Sequence, residues 1–95
     1  MRAIVIEPGQ SPEIRDIGSD LASLQSLVGG YIEYVSLEND IGFLVNEEGR
    51  LLGLPPNGAV YCGDALVGTV VIIKTGGEEF CSLTEAEAEE YRGRF

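Results

Sequence analysis

Two short runs in this chain are apolar on both faces that a strand presents. The first, Ala3-Ile4-Val5-Ile6, is ended by Glu7-Pro8-Gly9. The second runs from residue 67 to 73. Successive strand side chains point to opposite faces, so a run apolar on both, interrupted in the second case only by Gly68 and Thr69, predicts a central strand covered on two sides. The two runs are expected to be neighbours at the sheet centre, with Val5 and Val71 nearly inaccessible. Residues 12–17 alternate only weakly and open on Pro12. They predict the return strand of a hairpin, at a sheet edge where proline is tolerated.

Between these runs the period changes. Leu21, Leu24, Leu27 and Val28 fall on one face of a helix predicted over about 20–28. Ser19 is the expected N-cap, Asp20 suits the positive end of the dipole, and Gly29-Gly30 supplies a left-handed stop. The opposite side of that helix, Ala22, Ser23, Gln25 and Ser26, carries no charge, which suggests a contact surface. Residues 31–37 predict a strand, 38–40 a turn and 42–45 another strand. Asn46-Glu47-Glu48-Gly49 reads as a hairpin turn, with Arg50-Leu51-Leu52 returning. Residues 53–58 predict a rigid projecting loop, because Pro55 and Pro56 cannot donate to a ladder and restrict the residues before them.

The chain closes on a strand over 79–83 that runs straight into an acidic helix over about 84–92. Thr84 can accept from the amides that open that helix, and Glu87 can reach back to the Thr84 amide in a capping box. Leu83 and Ala88 occupy the two staple positions. The sum is an α+β fold: a mostly antiparallel sheet of about five to seven short strands with two helices, in a single domain spanning 1–95. Two strands apolar on both faces ask for more cover than one helical layer gives. Either the helices divide between the faces, or a homodimer or larger assembly buries one of them; the latter is expected, with the uncharged helix face at the contact.

Charge narrows the function classes. Six Lys and Arg against sixteen Asp and Glu give a formal charge of −10, which argues against direct binding to DNA or RNA. The longest apolar run is far short of the ~20 residues that cross a bilayer, and the N-terminus lacks the pattern of a signal peptide. A cytoplasmic protein is expected, with no membrane partner. Cys62 and Cys81 then remain reduced thiols, Cys81 as a small core side chain.

Catalytic chemistry finds little to work with. The chain has no histidine, so it lacks the side chain most often used for proton transfer near neutral pH. Two thiols alone cannot complete a four-ligand zinc site. The carboxylate pairs Glu47-Glu48, Glu78-Glu79 and Glu89-Glu90 are sequence neighbours whose side chains diverge. Lys74 reads as a solvated strand end. Neither Gly29-Gly30 nor Gly76-Gly77 has the spacing of a phosphate loop. No catalytic, cofactor-binding or metal-ligating residue is assigned, no cofactor is expected, and the protein is expected not to be an enzyme.

Several segments taken together resemble a known family. They are Ala3-Ile4-Val5-Ile6-Glu7-Pro8-Gly9, then Leu24-Gln25-Ser26-Leu27-Val28-Gly29-Gly30-Tyr31-Ile32-Glu33, then Asn46-Glu47-Glu48-Gly49-Arg50-Leu51-Leu52-Gly53-Leu54-Pro55, Gly68-Thr69-Val70 and Phe80-Cys81-Ser82-Leu83-Thr84. In that order they resemble a domain of unknown function found in small proteins of bacteriophages, plasmids and their bacterial hosts. Members carry an Arg after the Asn of the proline loop, where this chain has Gly58, and a longer segment before the Gly-Thr strand. The resemblance implies a mobile-element accessory protein and leaves the mechanism open.

The expected function is binding to a host protein, as a counter-defence or host-takeover factor. Tyr31, Tyr34 and Tyr61 are candidate contact residues, since tyrosine offers large area and a polar tip. Pro55, Pro56 and Asn57 join them on the rigid loop. One alternative is sequestration of a nucleotide-like ligand by an oligomer, which requires Arg15, Arg50 and Lys74 to converge on phosphate. Another is nucleic-acid mimicry by the acidic tail helix.

Overall fold

The computed structural model describes residues 1–95. Its main sheet has six strands, all paired antiparallel. β1 (Arg2–Ile6) turns at Gly9 into β2 (Glu13–Asp16), and α1 (Leu21–Val28) follows. β3 (Ile32–Glu38) and β4 (Ile41–Asn46) form a hairpin through Asn39 and Asp40, both with positive φ. β5 (Pro56–Tyr61) and β6 (Asp64–Val67) make a separate two-stranded sheet. β7 (Val70–Gly76), β8 (Glu79–Cys81) and α2 (Glu85–Arg94) complete the chain.

The order across the main sheet is β2-β1-β7-β4-β3, with β8 pairing β7 beyond the end of β1. The α+β class and the mostly antiparallel sheet are as the sequence predicts. So is the central pair: β1 lies against β7 with Val5 opposite Val71, and both are at most 1% exposed. β2 takes the edge. Ile4, Ile6, Phe43 and Ile72 point to one face, with Leu83, Ala88 and Tyr91 packed over them. Ala3, Val5, Leu44, Val71 and Ile73 point to the other, under Leu24 and Val28. The helices therefore divide between the two faces, so the apolar sheet by itself requires no second copy of the chain.

Local structure follows from caps and close approaches. Asp20, not Ser19, caps α1; its carboxylate accepts from the Ser23 amide (3.0 Å) and hydroxyl (2.7 Å). Leu21, expected on the apolar face, is largely exposed. Gly29 ends α1 in the left-handed region (φ 81°). Asn46 then donates from Nδ2 to the Val28 carbonyl at 3.1 Å and satisfies a carbonyl that the helix leaves open. At α2 the capping box forms as expected: Glu87 N–H donates to Thr84 Oγ1 (3.1 Å) and Thr84 N–H to Glu87 Oε1 (2.8 Å). Leu83 and Ala88, the staple residues, are both buried.

The middle of the chain departs from expectation. Residues 50–52 do not return as a strand; Leu52 N–H donates to the Glu48 carbonyl (2.9 Å) and Gly53 N–H to that of Arg50 (3.2 Å), which makes 47–54 a run of turns. The proline segment is not a projecting loop either. Pro56 and Asn57 begin β5, with Pro56 opposite Val67. Proline is admitted because this hairpin is a two-stranded edge, where a missing donor faces no second neighbour. Val67 ends β6, and Gly68 (φ 73°) separates it from β7, so the second apolar strand starts at Val70. The extra hairpin brings the strand count to eight.

Candidate functional site

The β5–β6 hairpin lies over the part of the sheet that α2 leaves open. Tyr61 meets Phe43 edge-on at 5.3 Å between ring centres, and its hydroxyl donates to the Ser36 carbonyl at 3.3 Å. A second tie comes from the 47–54 turns, where Arg50 donates from Nη2 to the Ala65 carbonyl at 3.0 Å. A groove of about 260 Å³ is left between sheet, hairpin and turns. Its floor is Val35, Phe43 and Val45, and Tyr61, Leu66 and Val67 wall it on the hairpin side. Glu33, Glu47, Glu48 and Asp64 also line it, with Arg50 as the one basic side chain.

Next to the groove the surface is apolar. Leu51, which lines it, is 86% exposed. Leu52 (59%) and Tyr31 (65%) share a neighbouring depression with Gln25, Gly29 and Gly30, and Asn46 and Glu48 line both hollows. Exposed large apolar side chains gathered in one place mark contact surfaces more often than isolated ones do.

The candidate contact residues do not converge on one site. Tyr31 stands at this surface and Tyr61 in the groove wall. Tyr34 lies on the opposite face, half-buried against the α1 core, 6.1 Å from the Phe80 ring and closely over Gly42. Pro55 and Pro56 are exposed. Asn57 is only 2% exposed, and its Nδ2 donates to the carbonyls of Ile6 (2.8 Å) and Gly68 (2.7 Å). Its own carbonyl accepts from Gly9 N–H (3.2 Å) and its Oδ1 from Ala59 N–H (3.3 Å). It ties β5 to the end of β1 and to the β6–β7 junction, and it presents nothing to a partner.

The family model for a domain of unknown function, DUF3846, matches residues 1–95. The chain belongs to the DUF3846 family. Neither a curated protein nor a solved structure matches it. In this DUF3846 chain the segment before the Gly-Thr strand closes as a hairpin whose tip is Cys62-Gly63, both with positive φ. Gly58 has φ 101°, so a side chain such as Arg there would strain this backbone.

The basic side chains are committed. Arg15 pairs with Glu7 (3.1 Å) and Glu13 (2.6 Å), Lys74 with Glu87 (3.1 Å), and Arg92 with Glu89. Lys74 is thus a half-buried ion-pair partner of the tail helix, not a solvated end. Arg15, Arg50 and Lys74 each engage a different part of the fold and do not converge on a phosphate. The Tyr91 hydroxyl donates to Glu38 (2.6 Å), which Arg94 also contacts. Burial and then the Glu38 carboxylate push the Tyr91 phenol up to about 12. The same hydroxyl, then Arg94, holds the Glu38 carboxyl below its ordinary value. Both cysteines are free, Cys62 exposed and Cys81 half-buried. No helix is long and apolar enough to cross a membrane.

Sequence reasoning missed the groove itself: Glu33, Val35, Val45, Leu51 and Leu66 carried no functional expectation. One signal was present. Leu51-Leu52 stands between Gly49 and Gly53, both suited to turns, and adjacent leucines in a turn cannot both point inward.

Proposed function

We propose that this DUF3846 chain is a non-enzymatic accessory protein of a phage or other mobile element that binds a host protein in the cytoplasm. The observation that carries the reading is the exposed apolar surface of Leu51, Leu52 and Tyr31 beside an apolar groove. A fold this small gains nothing in stability from leucines held in water, and side chains of this kind are what a partner buries. The shortage of proton-transfer groups also supports it: the chain has no histidine, and its basic side chains are engaged in holding the fold.

The two alternatives have less support. A nucleotide ligand lacks a cluster of basic groups to receive its phosphates. Mimicry of nucleic acid by α2 is weakened because Glu87 is spent on the cap and Lys74, Glu89 pairs with Arg92, and Arg94 adds positive charge at the helix end.

The test is capture from a bacterial host lysate, with native mass spectrometry of the eluate. The wild-type chain should retain one host protein in a defined stoichiometry. Leu51→Glu with Leu52→Glu, both at exposed positions, should fold normally and retain at least about tenfold less, as expected when apolar anchors are lost. Recovery of the chain alone, of a homodimer, or of a nucleotide-bound form overturns the reading.

A further inference from the structure

The groove also indicates what kind of segment it would receive, an inference that rests on the binding reading above. We infer that it holds an extended, cationic segment of the partner protein, anchored by an apolar side chain seated against Val35, Phe43 and Leu66.

Size is the first argument. At about 260 Å³ the groove falls below the ~300–1,000 Å³ of ordinary small-molecule sites. It suits an anchoring side chain better than a nucleotide. The anchor must be apolar, because Val35, Phe43 and Val45 at the floor and Leu66 and Val67 in the wall leave little to hydrogen-bond.

Charge is the second. Four carboxylates against one guanidinium leave three negative charges around this hollow. None of Glu33, Glu47, Glu48 and Asp64 is in an ion pair. Arg50 already donates to the Ala65 carbonyl. The uncompensated field selects lysine or arginine beside the anchor and repels acidic peptides, nucleic acid and anionic membrane. It also disfavours a second copy of this chain, which carries −10.

The sheet edge supplies the third argument. β3 pairs with β4 alone, so its outer side is free along the strand except where the Tyr61 hydroxyl takes the Ser36 carbonyl. Glu33 and Val35 stand on this edge strand and line the groove. An incoming strand pairing with β3 would turn every second side chain toward that same face. Main-chain pairing would then give affinity, while groove and carboxylates would give selectivity.

The probe is the synthetic peptide acetyl-Ser-Lys-Thr-Phe-Thr-Lys-Ser-amide, which in a strand turns Phe and both Lys to the same face, titrated into ¹⁵N-labelled protein. Two controls replace both Lys by Glu, or Phe by Ser. The amides of Glu33, Val35, Val45 and Leu66 should shift with the first peptide and with neither control. Glu33→Gln with Asp64→Asn, and separately Leu51→Ser, should each weaken binding at least about threefold, and raised salt should weaken it further. Four results overturn the inference: no shifts, shifts spread over the α2 carboxylates, equal binding of the serine control, or β3 amides protected in a homodimer instead. The two readings also fail separately. A host protein still captured by Glu33→Gln/Asp64→Asn leaves the binding function standing and refutes the groove assignment. Peptide binding in the groove without any captured host protein does the reverse.

Discussion

Replacing Asn57 by Ala removes one amide that donates to two carbonyls far apart in the chain, those of Ile6 and Gly68. Both acceptors sit in the interior at the end of the main sheet, and alanine has nothing to offer them. A stranded buried acceptor costs roughly 1–3 kcal/mol, so Asn57→Ala should lower the urea midpoint markedly without changing the slope of the transition. An unchanged midpoint would show that water reaches those carbonyls. An asparagine after two prolines reads as the tip of a loop, since its side chain closes turns readily. It does bond Ala59 N–H in that way. The longer-range bonds, to residues 51 and 11 positions away, have no signature in the local sequence.

Elements whose stops and caps are local were legible. The capping box at Thr84, the Gly29 stop and the two apolar strands are written in consecutive residues, and the structure has each of them. What failed was the segment from 47 to 67, where turn and strand differ by tertiary pairing and not by composition. Leu51-Leu52 looks like strand, and Pro56-Asn57 looks like loop. Each took the other state because the β5–β6 hairpin pairs with itself and packs on the sheet beside α2. The groove that hairpin creates was illegible for the same reason. At this scale α2 gives the cleanest test. Thr84→Ala removes the acceptor for the Glu87 amide and should cost about 1 kcal/mol, or about 4–8 °C in Tm for a chain this size. Thr84→Ser keeps the acceptor and should stay near wild type. If both variants melt alike, packing of Leu83, Ala88 and Tyr91 holds the helix without its cap.

Over the whole molecule, the excess of acid is organised unevenly. Several carboxylates are worth more to the fold ionised than protonated. Asp16 is held low by the N-terminal amine, Asp20 by the Ser23 hydroxyl, Glu38 by the Tyr91 hydroxyl and then Arg94, and Glu87 by the Thr84 amide and then Lys74. Their folded values lie below their unfolded ones, so the unfolded chain binds more protons in that range. Stability from these groups is fully present above the unfolded carboxylate range, about pH 4, and is lost as pH falls through the lower folded values. Tyr91 has the opposite sign. Its folded value near 12 exceeds the unfolded one near 10, so its contribution is complete below about pH 10 and disappears as pH rises toward 12. The fold should therefore weaken at both extremes, with the Tyr91–Glu38 contact sensitive to both. Acid loosens the β1–β2 edge, the α1 cap and the α2 cap, whereas alkali breaks the Tyr91–Glu38 contact between α2 and β3. Urea midpoints across pH should fall at both ends, and Tyr91→Phe should flatten the alkaline limb while removing only the Glu38 share of the acid one. An unchanged alkaline limb in Tyr91→Phe would mean that ionisation of that phenol does not drive the loss, and that repulsion among the sixteen acids does.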